Sequence, residues 1–411
     1  MEEAFLLPEK RESLRTTTWD SYLEAMKKVC YIAIPMIVVN VSQHLIRVLS
    51  MMMLGHLSEL SLSGASIATS LTNVTGFSLL LGMASGLETL CGQAYGAEQY
   101  KKLGIYTTGA IISLLLVCIP ISILWLFMDK ILIFMHQDPL ISIEAGKYSI
   151  WLLISLFPFA ILQALTRYLQ TQSLILPMVV TSIATLCFHV PICWLCVFTL
   201  DFGSVGAAFS IGLSYWFNLL LLGLYVKYSK SCEKTRLYFS KEEVLASIRE
   251  FFPLAIPSAC MVCLLIASTH YFLPFSLGAG ASTRVSNELG AGNHEAAKMA
   301  VRAALTISMA DAIISGSIFY CCRHIVGYAF SNEKEVADYI SKMAPFLCIL
   351  MVSDCIQGVL SGVARGSGWQ HLGAYVNLGS FYLAGIPTAI ICGFLFHLQG
   401  KGLWIGLNVG N

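Results

Sequence analysis

Two stretches decide the architecture: GMASGLETLCGQAYGAEQYKKLGIY, from Gly82 to Tyr106, and GAGASTRVSNELGAGNHEAAKMAVR, from Gly278 to Arg302. With Gly82 laid on Gly278, Gly96 falls on Gly292. Each stretch leaves an apolar run through small residues, reverses at Gly-Ala or Ala-Gly, turns polar and enters the next apolar run. Two such loops at a fixed separation point to one half-protein built twice.

The surrounding sequence is apolar enough for a membrane. Of 411 residues, 56% are hydrophobic and 12% charged, and the mean hydropathy is +0.72. A soluble domain carries about 25% charged residues, so this chain has too few to coat a globule. It reads as an all-α polytopic membrane protein. A net charge of +1 offers no argument for a nucleic-acid partner. Residues 1–28 are polar, hold five Lys or Arg and read as a cytosolic N-terminal tail, not a cleavable signal. Both Cys-x-x-Cys spacings lie inside apolar runs without a second ligand pair and read as packing residues. No Walker A sequence is present to support ATP drive.

A crossing helix needs about 20 apolar residues. Runs near 29–54, 64–87, 103–127, 145–165, 175–199 and 205–226 supply six spans, expected to form an N-lobe over 29–226. A charged stretch, 227–250, reads as a cytosolic linker. Later runs near 251–282, 298–320, 343–363, 372–397 and 402–411 make the C-lobe, 251–411. The runs are too long for β-barrel strands and do not alternate. With two six-span halves, eighteen Lys or Arg fall on the cytosolic side against six opposite, Arg167, Arg284 and Arg365 among the eighteen. A six-span repeat keeps its direction, so the halves are parallel copies.

Other matches follow in order: Ile34-Pro35 with Ile256-Pro257, Gln163 with Gln357, Pro191 with Pro387, Gly206 with Gly402. Their offsets expose a fault. Pro35 to Pro257 is 222 residues, whereas Gly82 to Gly278 and Pro191 to Pro387 are each 196. The second repeat is therefore expected to lack about 26 residues between Pro257 and Gly278, leaving 10–11 spans instead of 12. Residues 251–282 then cross once, which inverts everything after Ser282, or form a re-entrant hairpin shielded by protein.

Leu60–Tyr100, STRVSNELGAGN (Ser282–Asn293) and SDCIQGVLSGVARGSGWQ (Ser353–Gln370) resemble the plant branch of the multidrug and toxic compound extrusion (MATE) family. The resemblance covers nearly the whole chain outside the gap. It implies two six-helix lobes in a V with a substrate cleft between them. It also implies a monomeric antiporter, not an enzyme, exporting an organic cation, xenobiotic or plant secondary metabolite across the vacuolar or plasma membrane. The proton gradient is the expected driving force, with no bound cofactor and no metal. Family members place one acid on the seventh span, in a Leu-Glu-Trp-Trp type stretch, and another on the tenth. Here Met261-Val262-Cys263-Leu264 runs straight into Leu265-Ile266-Ala267, so the first is absent. The alternative is a non-transporting or misinserted form of that fold.

An ionisable side chain in mid-span is functional by default. Asp354, with Gln357 one turn on, and Asp311 are the proton-coupling candidates. Gln357, Asn377, Gln43 and Asn73 are candidates for the substrate cleft, although helix–helix hydrogen bonds also account for such residues. Gly96, Gly290 and Gly292 read as cytosolic hinges, and Glu88, Arg284 and Glu288 as caps flanking them. Arg47 stands in the first span where the family usually has a neutral polar residue; it is expected to snorkel outward or to pair with an acid. His44, His189 and His270 read as packed neutral histidines.

Overall fold

The computed structural model describes residues 8–235, 240–265, 272–330, 334–398 and 400–410. The elements are α1 (Pro8–Gly55), α2 (Glu59–Thr72), a π turn (Asn73–Phe77), α3 (Ser78–Ala84), α4 (Leu87–Gly96), α5 (Tyr100–Leu126), α6 (Met128–Phe134), α7 (Pro139–Thr171), α8 (Leu176–Trp194) and α9 (Gly203–Tyr228). The second half adds α10 (Lys241–Leu265), α11 (Phe272–Gly290), α12 (His294–Phe330), α13 (Lys334–Ser367), α14 (Gln370–Gly379), α15 (Ile386–Ile390) and α16 (Gly400–Gly410). Among the described residues, ten helices are long and apolar enough to cross a membrane. The expected tail and linker are partly helical: α1 begins at Pro8 and α10 at Lys241.

The sequence repeat recurs in backbone geometry. Left-handed residues end equivalent helices: Glu98 (φ 57°) and Gly292 (φ 76°), Ser173 (φ 57°) and Gly368 (φ 86°), Asp201 (φ 55°) and His397 (φ 54°). Fifth-span π turns match as well, Leu195–Thr199 with Ile391–Leu395. The first pair corrects the glycine alignment. Ala97 N–H bonds to Gln93 O as Ala291 N–H bonds to Asn287 O, so Gly96 corresponds to Gly290, not to Gly292. Glycine identity misled here because the left-handed position is filled by Glu98 in one copy and by Gly292 in the other.

The chain forms two compact units: an N unit, residues 35–267, and a C unit, residues 1–34 with 268–411. These bounds differ from those of the lobes read from the repeat, because the first part of α1, to Ile34, belongs to the C unit and α10, to Leu265, to the N unit. In the N unit, α7 is central and packs against α2, α5 and α9. It starts at an Asp138 cap, whose carboxylate accepts from Leu140 N–H and Ile141 N–H ahead of Pro139. Here α10 lies on α3, α4 and α5. A Cβ on Gly82 would stand 2.5 Å from Ala259 Cα, and one on Gly86 would stand 3.0 Å from Ala255 N. The polar start of α10 is pinned beside the start of α5: Lys101 pairs with Glu243 at 2.6 Å, and Tyr106 Oη donates to Glu250 Oε2 at 2.8 Å.

In the C unit, α13 packs on α11 and α12. The first part of α1 joins them, with Val29 and Ala33 in one apolar cluster with Leu277, Ala281, Ala304 and Val359. A Cβ on Gly280 would meet Val29 O at 3.2 Å. Glu24 and Lys28 line a groove with Arg284 and Glu288. As α1 advances from Glu24 to Ala33, its neighbours on α11 recede from Glu288 to Leu277, so the two helices are antiparallel. The Gly290–Asn293 turn therefore shares an end of the unit with the start of α1.

Within residues 251–282, α10 is described to Leu265 and α11 from Phe272. The apolar part of α10, Phe251–Leu265, spans roughly 22 Å and that of α11, Phe272–Ser282, roughly 16 Å. A hydrocarbon core is about 30 Å thick. The turn register sets Phe272 against Ser78 and the proline register sets Leu265 against Gln43. The first-half segment 44–77 thus has only residues 266–271 opposite it.

Candidate functional site

In the C unit the candidate acids lie on neighbouring helices. Asp354, on α13, is 6% exposed, and Gln357, one turn on, is also buried. Gln357 Nε2 donates to Asn377 Oδ1 of α14 at 3.5 Å. That bond leaves Gln357 Oε1 and Asn377 Nδ2 buried without a hydrogen-bond partner among the described residues. A spare acceptor and a spare donor beside a buried carboxyl can hold a water or a polar ligand group. Asp311, on α12, is half-buried. Its Oδ1 accepts from Ser315 Oγ at 3.1 Å and its Oδ2 from Cys355 Sγ at 3.5 Å. Ser308 Oγ donates to Cys355 O at 2.7 Å, fixing α12 to α13 there. Asp354 thus stands one turn from the Gln357–Asn377 pair on α13, and Asp311 bonds to Cys355, the next residue in the chain.

Gln43 and Asn73 belong to the N unit, where Arg47 is the centre of the polar group. Arg47 Nη1 donates to Asn73 Oδ1 at 3.0 Å, and among the described residues no ion pair includes Arg47. Asn73 opens the π turn, in which Ser78 N–H reaches back to Asn73 O. The turn has a packing cause. Trp125 Nε1 donates to Thr75 Oγ1 at 3.0 Å, and the indole edge occupies the space beside Gly76, where a Cβ would stand 2.4 Å from Trp125 Cζ2. A wide turn at such a contact re-aims the side chain that precedes it.

Three residues gain roles that the sequence did not give them. Glu88, expected as a cytosolic cap, is fully buried and pairs with Arg167 at 3.2 Å. Arg167 is itself 1% exposed; it also donates to Gln170 Oε1 at 2.8 Å and reaches Ser85 Oγ at 3.4 Å. The pair fastens α4 to α7 inside the N unit. Arg365, likewise counted as a cytosolic charge, is fully buried with its guanidinium 5.6 Å from the Phe275 ring. A lone charge at the polar end of an apolar run reads as a cap; only the tertiary contact shows that it turns inward. Arg284 and Glu288 do pair with each other one turn apart.

His189 is buried, with Nε2 3.0 Å from Ser50 Oγ and Nδ1 2.9 Å from Ser214 Oγ. It ties α1, α8 and α9 together. His270 lies outside the described residues. Gly96 and Gly290 are the last residues of α4 and α11, and Gly292 takes the left-handed turn conformation.

A helical membrane protein of repeated halves, with a buried carboxyl on the central helix of one unit and a buried ion pair in the other, has the build of a transporter. The MatE family model matches residues 35–195 and 257–391. Protein DETOXIFICATION 6 of Arabidopsis thaliana is 47% identical over 445 aligned residues, covering 100% of this chain and 92% of that one. Protein DETOXIFICATION 8 of the same plant is 49% identical, covering 94% and 86%. The crystal structure of the eukaryotic MATE transporter AtDTX14 superposes with a TM-score of 0.91 at 48% identity, over 95% of this chain and 93% of that one. An outward-facing multidrug resistance MATE transporter shares the fold at 16% identity, with a TM-score of 0.81 over 94% of this chain and 92% of that one. The chain belongs to the MATE family, and its family supports efflux of xenobiotic-type compounds across a membrane.

Proposed function

We propose that the protein is a proton-coupled antiporter that exports organic cations, xenobiotics or plant secondary metabolites across the vacuolar or plasma membrane by alternating access. The observation that carries the reading is the buried Asp354 beside Gln357 and Asn377. A buried carboxyl can take up or give up a proton, and a neighbouring amide that can donate or accept accommodates both states. Proton uptake and release at such a group changes the relative free energy of two arrangements of the helices around it, which is what coupling requires. Asp311 is the second acid in this scheme. It accepts hydrogen bonds from Ser315 Oγ and Cys355 Sγ and thereby links α12 to the position next to Asp354.

The test is dye transport in proteoliposomes under an imposed pH gradient. Asp354→Asn is expected to lose at least about tenfold of gradient-driven transport while still binding the dye, and Asp311→Asn to lose less. Unchanged gradient-driven transport in Asp354→Asn would overturn the assignment. Absence of gradient-dependent transport in the unaltered protein would favour the non-transporting alternative, which the short α10 and α11 motivate.

A further inference from the structure

An exposed face of α8 and α9 in the N unit carries a groove that the transport reading leaves without a role. Phe188 of α8 and Leu213, Trp216, Phe217, Leu219 and Leu220 of α9 line it. Phe188 and Phe217 stack with ring centroids 4.3 Å apart, which closes the seam between the two helices and makes a half-buried floor. Trp216 and Leu220 stand exposed beside it. None of the six side chains is charged, and apart from the Trp216 indole N–H all are apolar. On a helix that crosses the membrane, a face of that composition is solvated by lipid chains.

The groove continues along α9. Trp216, Leu220, Gly223 and Lys227 recur at spacings of four, three and four, which is one face of a helix. A Cβ on Gly223 would meet no described atom within 4 Å, so the face stays open there. It ends at a charge: Lys227, in the last turn of α9, lies roughly 17 Å along the helix from Trp216. Beyond it the 3-10 turn Lys230–Thr235 is fastened to the N unit by the buried side chains of Cys232 and Thr235, with Thr235 Oγ1 bonded to Tyr168 Oη. Lys230 is thus held close to the helix end. Of the four charged residues from Lys227 to Lys234, three are Lys and one, Glu233, is acidic. Lys227 and Lys230 are exposed, and among the described residues no ion pair includes either. A Lys in the last turn also suits the helix dipole, but that accounts neither for Lys230 nor for the open face that leads to Lys227.

We propose that this face binds one anionic glycerophospholipid, with an acyl chain along the groove from Trp216 past Gly223 and its phosphate against Lys227 and Lys230. The two ends of the site select that occupant. The apolar groove takes the hydrocarbon chain of any lipid, and the lysines add attraction where the headgroup carries net negative charge. The bias of basic residues assigns this end to the cytosolic side, and the cytoplasmic leaflet is the one that holds anionic lipids. A chain bound there covers Trp216 and Leu220 and ties the linker after α9 to the membrane surface. The inference does not depend on what the protein transports.

The experiment uses the full chain, purified in detergent and stripped of lipid, with palmitoyl-oleoyl phosphatidylglycerol as the anionic probe and palmitoyl-oleoyl phosphatidylcholine as the neutral one. The melting temperature is followed through each titration, and native mass spectrometry counts the lipids retained. Phosphatidylglycerol is expected to stabilise at about tenfold lower concentration than phosphatidylcholine. Lys227→Gln combined with Lys230→Gln should erase that preference, whereas Lys298→Gln, at the start of α12, should keep it. Gly223→Leu, which fills the open space on the face, should weaken retention of both lipids without lowering the melting temperature of the lipid-free protein. Glycerol 3-phosphate, a headgroup without chains, should not stabilise. Equal titration by the two lipids overturns the inference, as does a preference unchanged in the double lysine variant or lost equally in Lys298→Gln. Phosphatidylglycerol retention unchanged in Gly223→Leu, or equal stabilisation by glycerol 3-phosphate, overturns it as well.

Discussion

Glu88 and Arg167 show what a single buried charge is worth in this protein. The pair is 3.2 Å apart with both side chains essentially inaccessible, so each ion has lost its hydration and depends on the other. Removing one partner leaves an uncompensated buried charge, which costs about 3–5 kcal/mol. Removing both costs less, because no bare ion remains. Glu88→Gln and Arg167→Gln are each expected to lower the melting temperature in detergent clearly, with the double variant more stable than the sum of the two losses. Strict additivity would show that the two charges do not interact. The Arg47–Asn73 bond is a different case: one partner is neutral, so Asn73→Ala is expected to lower the melting temperature less than either of those changes.

At the scale of the element, helix contact is governed by the residues that let backbones approach. Gly82 and Gly86 admit α10 onto α3 and α4, and Gly280 admits the first part of α1 onto α11. A Cβ 2.5 Å from Ala259 Cα cannot be absorbed by side-chain rotation, because the obstacle is backbone. Gly82→Ala should therefore destabilise by about 1–3 kcal/mol, measured as a lower melting temperature or lost monodisperse yield. Gly316→Ala on α12, where nothing lies within 4 Å, should be neutral or stabilising by up to about 1 kcal/mol. Equal losses at both positions would mean that the α3–α10 contact is not tight.

These elements also mark how far the sequence could be read. The spans and the repeat were legible because hydrophobic length is written along the chain and depends on no partner. The register of the Gly turns was legible only to within two residues, since Glu98 occupies a left-handed position that composition assigns to glycine. Asp354, Gln357 and Asn377 were legible as polar residues inside apolar runs. The pairing of Arg47 with Asn73 was not, because it depends on the register of a helical hairpin and on a π turn that Trp125 and Gly76 impose. Nor was the burial of Glu88, which only the packing of α4 against α7 reveals.

At the scale of the whole molecule the question is which side of the membrane the second half's first turn occupies. A single crossing by residues 251–282 would place the Gly290–Asn293 turn opposite the N-terminal tail and carry Arg284, Lys298 and Arg302 with it, against the bias of basic residues toward the cytosol. The geometry of the C unit argues otherwise. Val29 and Ala33 lie against Leu277 and Ala281, Glu24 and Lys28 share a groove with Arg284 and Glu288, and Tyr22 Oη donates to Thr306 Oγ1 at 2.5 Å. These contacts can form together only if α11 descends toward the end from which α1 rises, which sets the turn beside the tail. An epitope inserted after Gly292 should therefore be protected from, or exposed to, protease in intact vesicles together with an epitope at the N-terminus. Opposite protection of the two tags would mean that the chain threads the membrane with its second half inverted, and that the α1–α11 packing does not exist in the bilayer.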